Sequence, residues 1–341
     1  AWSIRVASAW MLAAAVCSAH PRVLQATEIG DDTKAAIVET VCADVERVYV
    51  FADDARTMSA ALQENLRGGA YGGSFSREEF VARLTADLRG IRDDLHLEVV
   101  TLAEPDDDAE IGPQTLGYER RFNYLFRKVE ILEGNVGYLA LDKFCDADEA
   151  GDVCRAAMSF LARTDALIID LRENRGGGIG MIQLLQSYLL PGRQQLSSLY
   201  VRQGDVTLDF WTQAFVAGKR MDDVPLYVLV SQNTFSGGEA LAYDLKHMGR
   251  GKIVGEVTAG GAHPTHRFEY PELQIMVKVP FARAVSPVTG TNWEGVGVQP
   301  DLPAPAEQAL AVAHAEALRT LMGRENDDRW RATLEDVLKA P

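Results

Sequence analysis

Ala166-Leu167-Ile168-Ile169-Asp170-Leu171-Arg172-Glu173-Asn174-Arg175-Gly176-Gly177-Gly178 decides the fold of this chain. Its first six residues are mostly apolar, as in a strand covered on both faces, and they run into a polar, glycine-rich corner. Helical spacing follows, with Ile182, Leu185 and Leu189 on one face. The same order returns later as a strand over 226–231, a turn over 232–235 and a helix from Ser236 to about His247. Repetition of strand, corner and helix predicts parallel strands whose carboxyl ends meet helix N-termini with free N–H groups. Two such termini over one crevice would stabilise an anion from two sides. Neither corner is a nucleotide loop. The Walker lysine is missing, and Gly176, Gly178 and Met181 break the G-x-G-x-x-G spacing.

Upstream, strands are expected over 129–132 and 136–141, around Glu133-Gly134-Asn135, with a helix over 148–163. Downstream, an amphipathic helix fits 306–322 and a short charged helix follows Glu325. No linker rich in Pro, Gly and Ser interrupts 120–320, which reads as one unit. Before it the pattern is helical: Ile37, Val41, Val45 and Val48, then Met58, Leu62 and Leu66 closed by Gly68-Gly69. A third helix opens with the capping box Ser76 and Glu79 and carries Phe80, Leu84, Leu88 and Ile91. These narrow stripes need cover, so the three helices should pack on the downstream part of the chain. A strand is expected over 96–101, and 104–110, with three consecutive aspartates, reads as a solvated loop. The fold class is therefore α/β, divided as 27–95 (helical), 96–121 (connection), 122–324 (core) and 325–341 (helix).

With 341 residues, 47% of them hydrophobic, the chain has ample material for a core. A net charge of −15 argues against a nucleic-acid or anionic-membrane surface, which needs clustered Lys and Arg. Cys17, Cys42, Cys145 and Cys154 form no CxxC pair and no zinc-finger spacing, so neither a disulfide scaffold nor a cysteine zinc site is expected. Residues 1–26 read as an export signal: Arg5 precedes an apolar run over 6–19 that is too short to span a bilayer. Once it is removed, no stable membrane insertion is expected. In an oxidising compartment Cys145 and Cys154, which flank an acidic loop, could pair, and the sequence leaves open whether they do.

Ser236 stands between Thr234-Phe235 and Gly237-Gly238 at the start of the second helix. A hydroxyl at such a corner, with the Gly237 N–H beside it, suits a nucleophile whose attack creates an oxyanion. An N-cap serine is the plainer account. The surroundings decide, because Thr234-Phe235-Ser236-Gly237-Gly238-Glu239 and Val254-Gly255-Glu256-Val257-Thr258-Ala259-Gly260-Gly261 resemble the signature of the tail-specific, C-terminal-processing serine peptidases. Asp170-Leu171-Arg172-Glu173-Asn174-Arg175-Gly176-Gly177 and Asn292-Trp293-Glu294-Gly295-Val296-Gly297-Val298-Gln299-Pro300-Asp301 resemble that family's other two hallmarks. The resemblance covers roughly 122–320 and extends more weakly into the helical unit.

The resemblance implies a crotonase-like core, of the caseinolytic-protease type, capped by the N-terminal helices. In the Ser/Lys branch a lysine follows the motif threonine by three positions; here Gly261 stands there. Lys246 lies near the C-terminus of its helix, where it complements the dipole. The sequence is instead similar to the tricorn and interphotoreceptor retinoid-binding protein branch, in which a histidine serves. Asp93-Asp94-Leu95-His96-Leu97 matches that segment, which makes His96 the expected base. His263 is its rival, or a residue lining the cleft. Glu294 matches the acidic member, which acts in tricorn through a serine placed where this chain has Leu95. Here Glu294 must reach His96 directly or through water, or another group such as Asp94 orients the ring. Gly177 and Gly237 match the oxyanion hole.

The family's PDZ domain has no room between Thr101 and Lys128. The resemblance thus implies a secreted or periplasmic serine peptidase acting on a peptide or protein, with no metal or organic cofactor and with self-association left open. Two alternatives stay open: a binder of apolar ligands like the retinoid-binding relative, and an esterase on the same site.

Overall fold

The computed structural model describes residues 28–102 and 117–339, so the expected export signal and acidic loop lie outside the described residues. The chain enters as three helices, α1 (Asp31–Val48), α2 (Ala52–Arg67) and α3 (Arg77–Ile91), followed by β1 (Glu98–Thr101). Ser76 and Glu79 form the expected capping box at the start of α3, and Gly68 caps α2. After a short α4 (Tyr118–Arg121) come β2 (Phe126–Leu132), β3 (Val136–Leu141), α5 (Ala147–Leu161), β4 (Ala166–Asp170) and α6 (Ile179–Leu189). Next are β5 (Ser198–Val201), β6 (Val206–Leu208), β7 (Leu226–Val230), α7 (Gly237–His247) and β8 (Lys252–Gly255). The chain ends with β9 (Thr265–Tyr270), β10 (Ile275–Pro280), β11 (Ala282–Val285), β12 (Leu302–Pro303), α8 (Ala309–Arg324) and α9 (Asp328–Lys339). Gly134 and Asn135 both take positive φ, 79° and 58°, in the tight turn that joins β2 to β3.

The main sheet has the order β12-β8-β7-β4-β3-β2, parallel except for the antiparallel edge strand β2. From β3 to β8 the sheet order follows the chain order. Right-handed crossovers that all step the same way put their helices on the same face. Alternation along the strands records both layers. Leu139, Leu167, Ile169, Val228 and Val230 face the cluster built with α5, α6 and α7. Tyr138, Ile168, Tyr227 and Leu229 face α8, whose Ala309, Ala313 and Ala317 present a low ridge that lets it lie close on the sheet.

The helical unit has its own core, and it is closed by strands from the far end of the chain. Val41, Phe80 and Leu84 cluster with Val99 of β1 and with Ile275, Val277 and Val279 of β10. β1 pairs antiparallel with β10 in a three-stranded sheet, β1-β10-β9. The strand expected over 96–101 therefore starts two residues late, and His96 sits in the turn before it.

Cys145 and Cys154, whose pairing the sequence leaves open, form no disulfide. Both thiols are free and buried. Cys145 donates to the Tyr124 carbonyl, and Cys154 sits on the core face of α5.

Candidate active site

The two glycine-bearing corners meet because the ladder between β4 and β7 sets Asp170 opposite Leu229. Asn174 stitches them. It is fully buried, its side chain takes the Gly176 N–H and donates to the Leu141 carbonyl, and its own carbonyl takes the Phe235 N–H. Ser236, where α7 begins, has φ 54° and ψ −114°, a conformation that costs a non-glycine residue of order 1–3 kcal/mol. Its N–H donates to Glu239 Oε2 at 2.8 Å.

Gly176 and Gly177 press on that corner. A Cβ on Gly176 would stand 2.7 Å from the Gly237 nitrogen, and one on Gly237 would stand 3.1 Å from the Gly177 nitrogen. The two nitrogens thus border the same small space beside Ser236. Gly177 has φ 133°, and a Cβ there would stand 2.1 Å from the Phe144 carbonyl oxygen. Gly177→Ala should lose several kcal/mol of stability, on the scale of strained-backbone substitutions. Gly237→Ala should cost less, because the atom it meets is the end of the Ile182 side chain. Equal denaturation midpoints for Gly177→Ala and wild type would refute this.

His96 comes from the helical unit and reaches the same cleft. Ser236, His96, Gly177 and Gly237 all line one cavity of about 640 Å³. The His96 ring stacks on Phe235, the neighbour of Ser236, with centroids 4.4 Å apart. Its Nδ1 is buried and has no hydrogen-bond partner. Burial therefore pulls its pKa down to about 4, and the nearby Asp94 charge offsets only part of the effect. Gly261 explains why no lysine stands in its place: a Cβ there would lie 2.2 Å from the Phe235 ring and 2.7 Å from His96 Cε1.

Glu294 and His263 do not sit where the sequence alone places them. Glu294 does not reach the His96 ring; its Oε2 takes the Ala262 N–H and lies 3.4 Å from His263 Nδ1. His263 lies behind the cleft wall, 2% exposed, with Nδ1 2.8 Å from Asp94 Oδ2 and its ring edge against Phe51. Asp94 touches His96 only through the backbone, taking its N–H on Oδ1, while Tyr49 donates to Oδ2. A buried chain of polar groups, Tyr49–Asp94–His263–Glu294, thus joins the helical unit to the core. Glu294 Oε1 is buried without a partner, and burial pushes the carboxyl up to about 7. Asp94, His263 and Glu294 offer ligand atoms within 4.8 Å of one another, the one such cluster among the described residues. A proton on His263 Nδ1 already accounts for its contact with Asp94. Lys246 is turned away from Ser236 and pairs with Asp301 at 2.6 Å.

Glu239 is the residue that sequence reasoning missed. Fully buried, it accepts from the Ser236, Gly260 and Gly261 amides and from the Thr258 hydroxyl, so one carboxylate ties the Ser236 corner to the segment after β8. Burial raises its pKa, and these four donors oppose the rise. The signal is present in the chain: Ser236 and Glu239 have the same S-x-x-E spacing as Ser76 and Glu79.

In this α/β fold a serine on a strained strand-to-helix corner shares one cleft with an imidazole and two glycine amides. A model described as peptidase family S41 matches residues 135–304, and one for that family's N-terminal domain in eukaryotic IRBP matches residues 31–129. The chain belongs to peptidase family S41. A carboxyl-terminal-processing protease of Picosynechococcus sp. is 28% identical over 220 residues, 62% of this chain and 48% of that protein. The chain spans about half or less of the length of the curated relatives it matches. A solved photosystem II D1 C-terminal processing protease superposes with a TM-score of 0.52 at 16% identity, covering 80% of this chain and 94% of that one. The tricorn protease does so with a TM-score of 0.54 at 13% identity, covering 83% and 35%. Likeness at this identity speaks for the fold.

Proposed function

We propose that this chain hydrolyses peptide bonds with Ser236 as nucleophile and His96 as base. The observation that carries the reading is the meeting, in one cleft, of a positive-φ serine from the core and an imidazole from the helical unit. Ser236 Oγ attacks the scissile carbonyl while the His96 ring takes its proton. The N–H groups of Gly177 and Gly237 receive the oxyanion. The tetrahedral intermediate collapses, His96 returns the proton to the leaving amine, and a water attacks the acyl-enzyme by the reverse route. Phe235, through its stacking, sets the plane of the base in place of a carboxylate. Glu294 acts at one remove, through His263 and Asp94.

None of these steps calls on a metal or organic cofactor. Residues 1–26 direct the chain to export, so that it acts outside the cell or in the periplasm. Among the described residues, no helix is long and apolar enough to cross a membrane. Incubation with a fluorophosphonate probe and a matched panel of peptides and esters tests the reading. Labelling together with peptide cleavage is expected; ester turnover alone, or a folded protein that neither labels nor cleaves, would refute it.

The electrostatics make a separate prediction. With the base pulled down to about 4, kcat/KM should rise through pH 4 rather than 6.5, and a second, smaller rise should appear near pH 7 as Glu294 ionises behind His263. Glu294→Gln should remove the second inflection and cost less than about tenfold in turnover. It should also stabilise the protein above pH 7. The folded carboxyl holds its proton up to about 7 while the unfolded one releases it near 4.5, so wild-type stability from this group falls as pH rises between them. A single acid limb at 6.5 in both proteins would refute the assignment.

A further inference from the structure

The cleft does not end at the nucleophile. Ser236, Ala240 and Asp244 follow one another at intervals of four, so they lie along one face of α7, and all three line the cavity. Ile182 and Gln186 of α6 form the facing wall, and Ser197 joins them at the far end. At Ala240 the wall is only a methyl group, and the lining continues from Ser236 to Asp244 as a channel that narrows to a 3% exposed carboxyl and a Gln186 with no exposed surface.

The far end of that channel is polar: burial raises the Asp244 pKa, and the hydrogen bonds from Ser197 and Gln186 oppose the rise. Asp244, 3% exposed, takes the Ser197 hydroxyl at 2.6 Å, the Ser197 N–H at 3.3 Å and Gln186 Nε2 at 3.0 Å. All three donors are neutral. Among the described residues no Lys or Arg pairs with Asp244, and its helix neighbour Lys246 is engaged by Asp301. A buried carboxylate is seldom left without a cation. Gln186 must turn its NH2 to the carboxylate, which only accepts. Its Oε1 is thereby left buried without a partner, in a residue with no exposed surface. Two acceptors at the end of an apolar channel call for a ligand that carries donors.

The length fits as well. Eight residues of helix separate the Ser236 and Asp244 backbones by about 12 Å. The Asp244 side chain leans back toward the helix N-terminus, and the attacked carbonyl stands in front of Ser236 Oγ. What remains is close to the roughly 6–7 Å from Cα to the charged head of an extended lysine or arginine, from standard bond lengths.

We propose that this channel is the pocket for the residue whose carbonyl Ser236 attacks, and that it selects lysine or arginine through Asp244 and Gln186. The proposal rests on the peptidase reading above. Quenched-fluorescent peptides that differ only at that residue (Arg, Lys, Leu, Ala, Glu) test it, with fluorophosphonate labelling run in parallel. Arg and Lys should exceed Leu and Ala in kcat/KM by at least about tenfold, and Asp244→Asn should collapse that ratio while labelling persists. Because Asp244 also holds Ser197 and Gln186 in place, Ala240→Leu gives a second check. It shortens the channel and should shift the ratio toward Ala. Labelled, active protein that prefers Leu or Ala, or keeps its Arg preference in both variants, would overturn the pocket assignment alone. Failure of the wild type both to label and to cleave would overturn the peptidase reading, and this assignment with it.

Discussion

Ser236→Ala is expected to abolish fluorophosphonate labelling and peptide hydrolysis together, with turnover down by on the order of 10⁴-fold or more. The change removes one oxygen from a residue whose backbone is held by neighbours rather than by its own hydroxyl. The Ser236 N–H stays on Glu239, and the Phe235 N–H stays on the Asn174 carbonyl. Alanine meets the same strain at φ 54° as serine does. The midpoint of thermal unfolding should therefore barely move. Ser236→Gly should be equally inactive yet more stable by about 1 kcal/mol, since glycine takes positive φ without penalty. Labelling that survives Ser236→Ala would show that another residue is the nucleophile.

His96→Ala should be nearly as damaging, again on the order of 10⁴-fold in kcat/KM. The imidazole is the only titratable ring on the cleft wall beside Ser236 among the described residues, because His263 is sealed behind it. Removal of the ring leaves a slot bounded by Phe235 and Gly261, the two groups it packs against. Added imidazole should enter this slot and restore part of the rate, which a purely structural loss would not allow. Near-normal turnover by His96→Ala would assign proton transfer to another group. A Gly261→Lys exchange should not install a lysine base, since its Cβ alone collides with Phe235 and His96.

Much of this arrangement is legible in the sequence because it is local. The two strand-corner-helix repeats, the capping box at Ser76, and the stop at Gly68 rest on neighbours within four residues. So does the place of Ser236 at the start of α7. The illegible part lies in contacts between distant residues. Asp94 and His263 are 169 positions apart, and nothing near either one announces that they touch. Glu294 and His96 match one motif set, yet the fold turns the carboxylate to the 262–263 backbone and ring. The spacing of Cys145 and Cys154 suits a pair, but α5 points Cys154 into the core, and Cys145 has a carbonyl for company. Glu239 stands inside a motif without declaring its role, because a second use for a capping carboxylate appears only when strand 252–255 and the glycines after it are in place.

The pairing of β1 with β10 carries a consequence for control of the chemistry. His96 lies two positions before a strand zipped residue by residue onto the core hairpin, Glu98 opposite Lys278 and Val99 opposite Val277. Slippage of this zipper by two residues keeps every side chain on its own face, yet carries the imidazole about 7 Å along the strand. The imidazole would then stand away from the Ser236 hydroxyl, with both halves of the molecule still folded. Displacement of β1 from the β10 edge would therefore part the imidazole from the Ser236 hydroxyl without a change to the cleft itself.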